Sequence, residues 1–460
     1  MDRYSQFLIP NSQFAVPGPH DVTRYALDNG LVVLVRENHT SPTVVLRGYV
    51  KAGGVCDTDD SAGLAGLTAA TARRGTATRT FQEINEAIES VGASLGMGAS
   101  KQLAGFSGKS LSEDFPLLVE IAADLLQHPS FPEGELEKVR GQVVTSLRQL
   151  EDNTRRKADR EFRALCYPAG HPYARSTEGS LDTVQRLGRD DLIAFYHRFY
   201  GPCDTAIAVV GDVKTDDAVA RLADAFGGWQ ALRRGPGQGL RPFGRAQGRP
   251  GSGQAPGDES PYDIPDAPRP CGPQRVVVPM FSKTQVDIVW GLPGLSRTSP
   301  DYYAARVANA ILGQVGLMGR LGANVRDRQG LAYYASSGLE AGLGAGPWIV
   351  YAGVAPDAVD RAVESLLAEI ARLRDELVSE EELADAQDYI TGTLPLRLET
   401  NGGVAGALIE MELYGLGLDF LARYPALIRA VTREDVQAVA REYLDTENYA
   451  LAIAGPYERH

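Results

Sequence analysis

Apolar and polar positions along the chain switch between two periods, about 2 and about 3.6 residues, and the switches mark out its elements. In YALDNGLVVLVR, Tyr25 to Arg36, two apolar runs flank Asp28-Asn29-Gly30 and predict a hairpin. Val44 to Val55 reads as a long strand ending at Gly53-Gly54. An Ala-rich helix is expected over residues 60–74. Thr80 with Glu83 forms a capping box that opens a second helix, which Gly92 closes. Strands follow near 93–99 and 102–108, then helices near 113–127, 133–151 and 154–166. In the 133–151 segment Leu136, Val139, Val143, Leu147 and Leu150 recur at helical spacing. A helix near 189–199 and the strand Ala206 to Val210 complete this first part.

The second part repeats the first. Arg189-Asp190-Asp191-Leu192 through Val210-Gly211 matches Arg433-Glu434-Asp435-Val436 through Ala454-Gly455 at an offset of 244. Gly92, before its strand pair, answers Gly330 at an offset of 238. A domain-sized period indicates duplication, not a solenoid. Ser379 with Glu382 is a further capping box, opening a helix to about 394. Between the halves, residues 235–273 hold nine Gly and nine Pro in 39 positions, a density that reads as an exposed, mobile linker. The expected organisation is therefore residues 1–234, a linker at 235–273, and residues 274–460. Each half is expected to be α+β, an antiparallel-rich sheet with helices packed mainly on one face.

At 460 residues the chain exceeds one ordinary core. A net charge of −13 argues against a general nucleic-acid binder. No apolar run reaches the length of a membrane span, and MDRYSQFLIPNSQFAVPG lacks an apolar core of signal-peptide length, so the expectation is a cytoplasmic protein. Cys56, Cys166, Cys203 and Cys271 form no paired motif. The richest stretch is Asn324 to Glu340, NVRDRQGLAYYASSGLE. A helix end stops at Gly330, and a strand follows from Leu331 to Leu339. Arg326 and Tyr333 lie seven residues apart across that corner. A rigid guanidinium and a phenol held there could address one peptide carbonyl; the other reading is a solvated Arg and a packed Tyr.

This stretch resembles the carboxy-terminal domain of the M16 metallopeptidases, the pitrilysin and mitochondrial processing peptidase family. The resemblance extends over most of the chain and implies two homologous halves enclosing a cavity. It implies that Arg326 and Tyr333 hold the substrate backbone. The segment from Ile311 to Leu321, with Gly313, Gly316 and Gly319, is similar to the glycine-bearing turn that precedes the Arg. Gly316 and Gly319 either let peptide backbone approach closely or join two helices. The family carries H-x-x-E-H on a helix of the first half, two His binding zinc and the Glu acting as general base. Here Gly63-Leu64-Ala65 and Gly75-Thr76 keep the frame, while the functional positions fall on Gly66, Ala69 and Ala70. The third ligand position, counted back from Glu151-Asp152-Asn153, is Ser146. The six histidines, His20, His39, His128, His171, His197 and His460, place no two within five residues. A zinc site assembled from distant groups, such as His171, His197 and a carboxylate, is the alternative, and lone histidines are more often structural. The family's substrate-pairing strand is altered to Gly92-Ala-Ser-Leu-Gly96-Met-Gly98-Ala, where interior glycines are expected to weaken pairing.

The resemblance thus implies a non-catalytic, substrate-binding subunit of a heterodimeric M16 zinc endopeptidase. No metal or cofactor is expected in this chain; zinc is expected in an H-x-x-E-H partner of similar size, and the substrate is an extended peptide. Two other readings stand beside it. One is a structural subunit like the core proteins of the respiratory cytochrome complex. The other is a peptide-binding module without proteolysis.

Overall fold

The computed structural model describes residues 16–230, 264–314 and 319–458. Two sheets organise them. The first contains β1 (Val22–Ala26), β2 (Val32–Glu37), β3 (Thr43–Val50), β4 (Ser94–Ala99), β5 (Ala104–Leu111) and β6 (Thr205–Gly211), in the order β1-β2-β6-β3-β5-β4. The second contains β7 (Gln274–Pro279), β8 (Val286–Pro293), β9 (Ala332–Leu339), β10 (Pro347–Val354) and β11 (Ala450–Gly455), in the order β7-β11-β8-β10-β9. β6 runs parallel to β2 and antiparallel to β3. β11 runs parallel to β7 and antiparallel to β8. The sequence repeat is therefore a repeat of topology, with β1 as an addition to the first sheet. The protein is α+β, with the two sheets in its two halves.

Several elements differ from the sequence pattern for local reasons. The long strand after Val44 ends at Val50. Gly53 then lies where an added Cβ would stand 2.2 Å from the Gln102 carbonyl carbon. That approach lets Gly54 and Val55 donate to the Ser100 and Lys101 carbonyls, turning the chain off the sheet. The helix expected over 60–74 is Leu64–Ala72, because Gly63 sits in the left-handed region at φ 97°. The buried Asp57 carboxylate accepts from the Gly63 and Ala65 N–H groups, both at 2.9 Å, and caps that helix start. β4 pairs with β5 along its whole length despite Gly96 and Gly98, so the interior glycines do not break the ladder. The linker residues 235–263 lie outside the described residues. Its end is anchored, with Ile264 packed near Gly344 and Pro265 bonded to His171.

Each half's own helices cover one face of its sheet, as the alternating strands require. The other face is covered too, by a helix from the opposite half. Thr154–Cys166 packs on β8 and β11, and Asn401–Leu413 packs on β3 and β6. Ala158, Phe162 and Cys166 share a core with Val289, Ile349, Ala452 and Ala454. Val404, Ala405 and Leu408 share another with Leu34, Val45, Ala208 and Val210. This explains why β6 and β11 are buried along their whole length and almost wholly apolar: each is covered on both faces. Gly291 completes the first contact, since a Cβ there would stand 2.9 Å from the Phe162 ring and 2.4 Å from the Trp348 carbonyl.

Because Phe162 belongs to one half by sequence and the other by packing, its loss affects both. Phe162→Ala should cost about 3–5 kcal/mol, lower both halves' unfolding in one transition, and show this in urea denaturation followed by tryptophan fluorescence and by far-UV circular dichroism. Two separated transitions, one unmoved by the substitution, would show that the halves fold independently.

Candidate functional site

The site is built at the outer edge of the second sheet. The segment Gly322–Arg328 is a wide, π-type helical turn, a geometry that is rare and concentrated at functional positions. Gly330 stops it at φ 63°, with Gly330 N–H donating to the Arg326 carbonyl and Leu331 N–H to the Val325 carbonyl. The chain then enters β9, which pairs with β10 on one side and ends the sheet on the other. The register is broken near its start: Tyr334 faces Gly353 and Ala332 faces Val354, leaving Tyr333 without a cross-strand partner. This is a β-bulge, a device that re-aims one side chain. Tyr333 is 66 % exposed. Arg326, on the turn packed against β9, is half-exposed and has Asp327 at 3.4 Å. The two side chains occupy adjoining elements, and no bond between them is formed. Both therefore keep donors for a third group.

The glycines before Arg326 have a packing role. A Cβ on Gly319 would lie 2.7 Å from the Gly313 Cα, and one on Gly313 would lie 2.8 Å from the Ser337 nitrogen. These contacts seat the turn against β9. Gly316 lies outside the described residues.

Tyr334 is a different residue from its neighbour. Its hydroxyl bonds the buried Asp287 carboxylate, which also receives the Thr154 hydroxyl. Arg155 lies over its ring at 5.0 Å. Burial and the bond to Asp287 push its phenol well above the ordinary value. Tyr334 therefore ties β9 to the exchanged helix 154–166. The β9–β10 tip is clasped further: Arg163 bonds Glu340 through two nitrogens at 2.9 and 2.7 Å, and Gln102 accepts from Leu343 N–H at 3.0 Å. Tyr173 hydroxyl accepts from Gly344 N–H at 3.1 Å. Sequence pattern gives no sign of the bulge or of these clasps, and those at the β9–β10 tip join residues more than 170 positions apart.

Of the four positions that hold the family's zinc ligands and general base, three are occupied by Gly or Ala and one by Ser. Gly66, Ala69 and Ala70 lie on the helix Leu64–Ala72, which packs against Glu133–Glu151, bearing Ser146. Ala69 is fully buried, and the Cβ site of Gly66 is 3.4 Å from the Thr177 carbonyl oxygen. One serine hydroxyl among four positions does not fit a zinc site. Among the described residues no group of three His, Cys, Asp or Glu is placed to hold a metal ion. His171 has both ring nitrogens engaged: Nε2 donates to the Pro265 carbonyl at 2.9 Å, and Nδ1 accepts from Tyr173 N–H at 3.1 Å. Its ring stacks on Tyr167 at 4.7 Å, and burial holds the imidazole below its ordinary value. His197 is exposed on a separate helix. The distant-ligand alternative thus has its two histidines in unrelated settings.

Comparison with known proteins agrees with this architecture. The family model described as insulinase, peptidase family M16, matches residues 32–178, and that described as the peptidase M16 inactive domain matches residues 186–390. An uncharacterized zinc protease of Streptomyces coelicolor is 27 % identical over 97 % of this chain and 93 % of its own length. The crystal structure of a peptidase M16 inactive domain from Pseudomonas fluorescens superposes with a TM-score of 0.81 at 25 % identity, covering 95 % of this chain and 98 % of that one. Mitochondrial cytochrome b-c1 complex subunit 1 of Rattus norvegicus is 30 % identical over 44 % of this chain and 41 % of its own. A duplicated α+β chain with these matches belongs to the M16 peptidase family. Among the described residues no helix is long and apolar enough to cross a membrane.

The two adjacent tyrosines should separate in a stability measurement. Tyr334→Phe leaves the buried Asp287 short of a donor and should cost about 1–3 kcal/mol, whereas Tyr333→Phe at an exposed bulge should stay within about 0.5 kcal/mol. Chemical denaturation of both variants decides it; equal losses would contradict the assignment of Tyr334 to the interior clasp.

Proposed function

We propose that this chain is the non-catalytic, substrate-binding subunit of a heterodimeric M16 endopeptidase, whose partner carries H-x-x-E-H and the zinc. The supporting observation is the one-sidedness of the molecule. The first half holds no donors at Gly66, Ala69 and Ala70, while the second half presents Arg326 and an exposed Tyr333 on a free sheet edge. An extended peptide would add as a strand beside β9. Arg326 and Tyr333 would donate to its backbone carbonyls, orienting the chain and stabilising charge that develops there. Hydrolysis itself would belong to the partner. The reading places the complex in the cytoplasm.

A second reading is a structural subunit, favoured by the similarity to the cytochrome b-c1 complex subunit over part of the chain. Retention of Arg326 and Tyr333 together weighs against it, since a purely structural chain has no use for both.

Co-expression with an H-x-x-E-H subunit should give a stable pair with an interface above about 2,000 Å², and peptidase activity should require both chains. Within that pair, Arg326→Ala and Tyr333→Phe should each lower kcat/KM by about 10- to 150-fold, the worth of a charged or oxyanion-directed hydrogen bond. The pair should remain assembled. Grafting Gly66→His, Ala69→Glu, Ala70→His and Ser146→Glu should fail to create activity in this chain alone, because Ala69 is fully buried and a carboxylate there lacks partners. Separate elution of the chains, with activity in the partner alone, would reject the subunit reading.

A further inference from the structure

The junction of the two halves contains a cleft of about 630 Å³ whose charge is opposite to that of the protein. Six cations line it, Lys101, Arg155, Arg156, Arg160, Arg163 and Arg175, against three carboxylates, Asp159, Glu178 and Glu340. The whole chain carries −13, so this is a local inversion. Carboxylates in and around the lining pair with four of the six and leave Arg155 and Lys101 without one. Arg163 is held by Asp159 and Glu340. Arg156 has Glu178 only at 3.8 Å. Arg160 and Arg175 reach acids outside the lining, Glu151 at 2.5 Å and Glu161 at 3.5 Å for Arg160 and Asp59 at 3.1 Å for Arg175. Arg155 stacks over Tyr334 and Tyr351, at 5.0 and 4.8 Å. Lys101 donates to the Arg175 main-chain oxygen. Burial and the nearby Arg163 pull its ammonium down to about 8, with Glu340 and Asp159 opposing. It remains mostly charged at neutral pH.

The spacing of these charges suits a chain more than a compact anion. Arg156 and Arg160 are one helical turn apart, a rise of about 6 Å. Alternate residues of an extended peptide are about 6.6 Å apart. A single phosphate would need one of these guanidiniums, whereas carboxylates at alternate positions of a strand would meet both. The cleft also adjoins the degenerate helix: Thr177, which lines it, has its carbonyl 3.4 Å from the Cβ site of Gly66. In this chain the space beside Gly66 is thus bordered by cations.

We propose that this cleft binds an acidic stretch of an extended peptide, with carboxylates at alternate positions facing Arg156, Arg160 and Lys101. This names a substrate class for the proposed function and rests on that reading for the peptide. The test uses the full chain and a short fluorescent peptide with Glu at alternate positions, beside its Gln counterpart, in an anisotropy titration. The acidic peptide should bind at least about tenfold tighter, the value of one charged hydrogen bond, and the gap should shrink as salt is raised. The double variant Arg156→Gln with Arg160→Gln, at exposed or half-exposed positions, should remove most of the preference with Tm unchanged. Lys101→Gln should weaken it independently. Equal affinity for the two peptides, or a preference untouched by these variants, overturns the inference and leaves the subunit reading standing. Binding of neither peptide also overturns it, while co-elution with the H-x-x-E-H subunit reports separately on that reading. A single-stranded oligonucleotide binding more tightly than the acidic peptide would reassign the cleft to nucleic acid and overturn it as well.

Discussion

The structure depends on an exchange of helices between its halves. Thr154–Cys166 from the first half fills the open face of the second sheet, and Asn401–Leu413 returns the arrangement on the first. Neither sheet could bury its second face alone, and β6 and β11 would leave apolar side chains in water. The polar contacts along this seam, among them Arg24 with Glu412 at 2.7 Å and Asp159 with Tyr351 at 2.9 Å, fix the register of two surfaces whose attraction is chiefly apolar. A duplicated chain thereby becomes one packed body, with a cleft left where the exchanged helix passes between the halves.

That seam also fixes the candidate site. β9 is an edge strand, and edges are mobile and prone to wrong pairing unless held. Here Tyr334, Glu340 and the β9–β10 tip are tied to the first half, so the outer side of β9 is presented at a set angle. Alternation along β9 turns one phenol outward and its neighbour inward, and the bulge leaves the outward Tyr333 without a cross-strand partner. Two adjacent tyrosines thereby have separate surroundings, one exposed and one bonded to Asp287. The π-type turn carrying Arg326 is seated by the close approach of Gly313 to Gly319, where larger residues would push it away.

Much of this was legible in the sequence because it follows local periodicity. The hairpin around Asp28-Asn29-Gly30, the capped helices and the repeat at 244 positions all reappear in the structure. The unbroken apolar runs Ala206 to Val210 and Ala450 to Ala454 carried a signal that each central strand is covered on both faces. They could not say that the second cover comes from the other half, because partner choice between helices is decided by shape, not by period. The bulge was hidden for a similar reason. Leu331-Ala332-Tyr333-Tyr334-Ala335 contains no glycine to mark it, and strict alternation says of Tyr334 only that it faces away from Tyr333. Its bond to Asp287 and the cationic cleft join distant residues, which composition and spacing do not encode.

The most direct test of the account is hydrogen exchange across β9 in the assembled pair. The complex of this chain with an H-x-x-E-H subunit would be measured with and without a non-cleavable extended peptide. The account predicts slowed exchange within Ala332–Leu339 when the peptide is bound, as the free edge gains a strand, with β7 at the opposite edge unchanged. Protection confined to the partner, with β9 exchanging as before, would contradict the assignment of this chain as the substrate-binding wall.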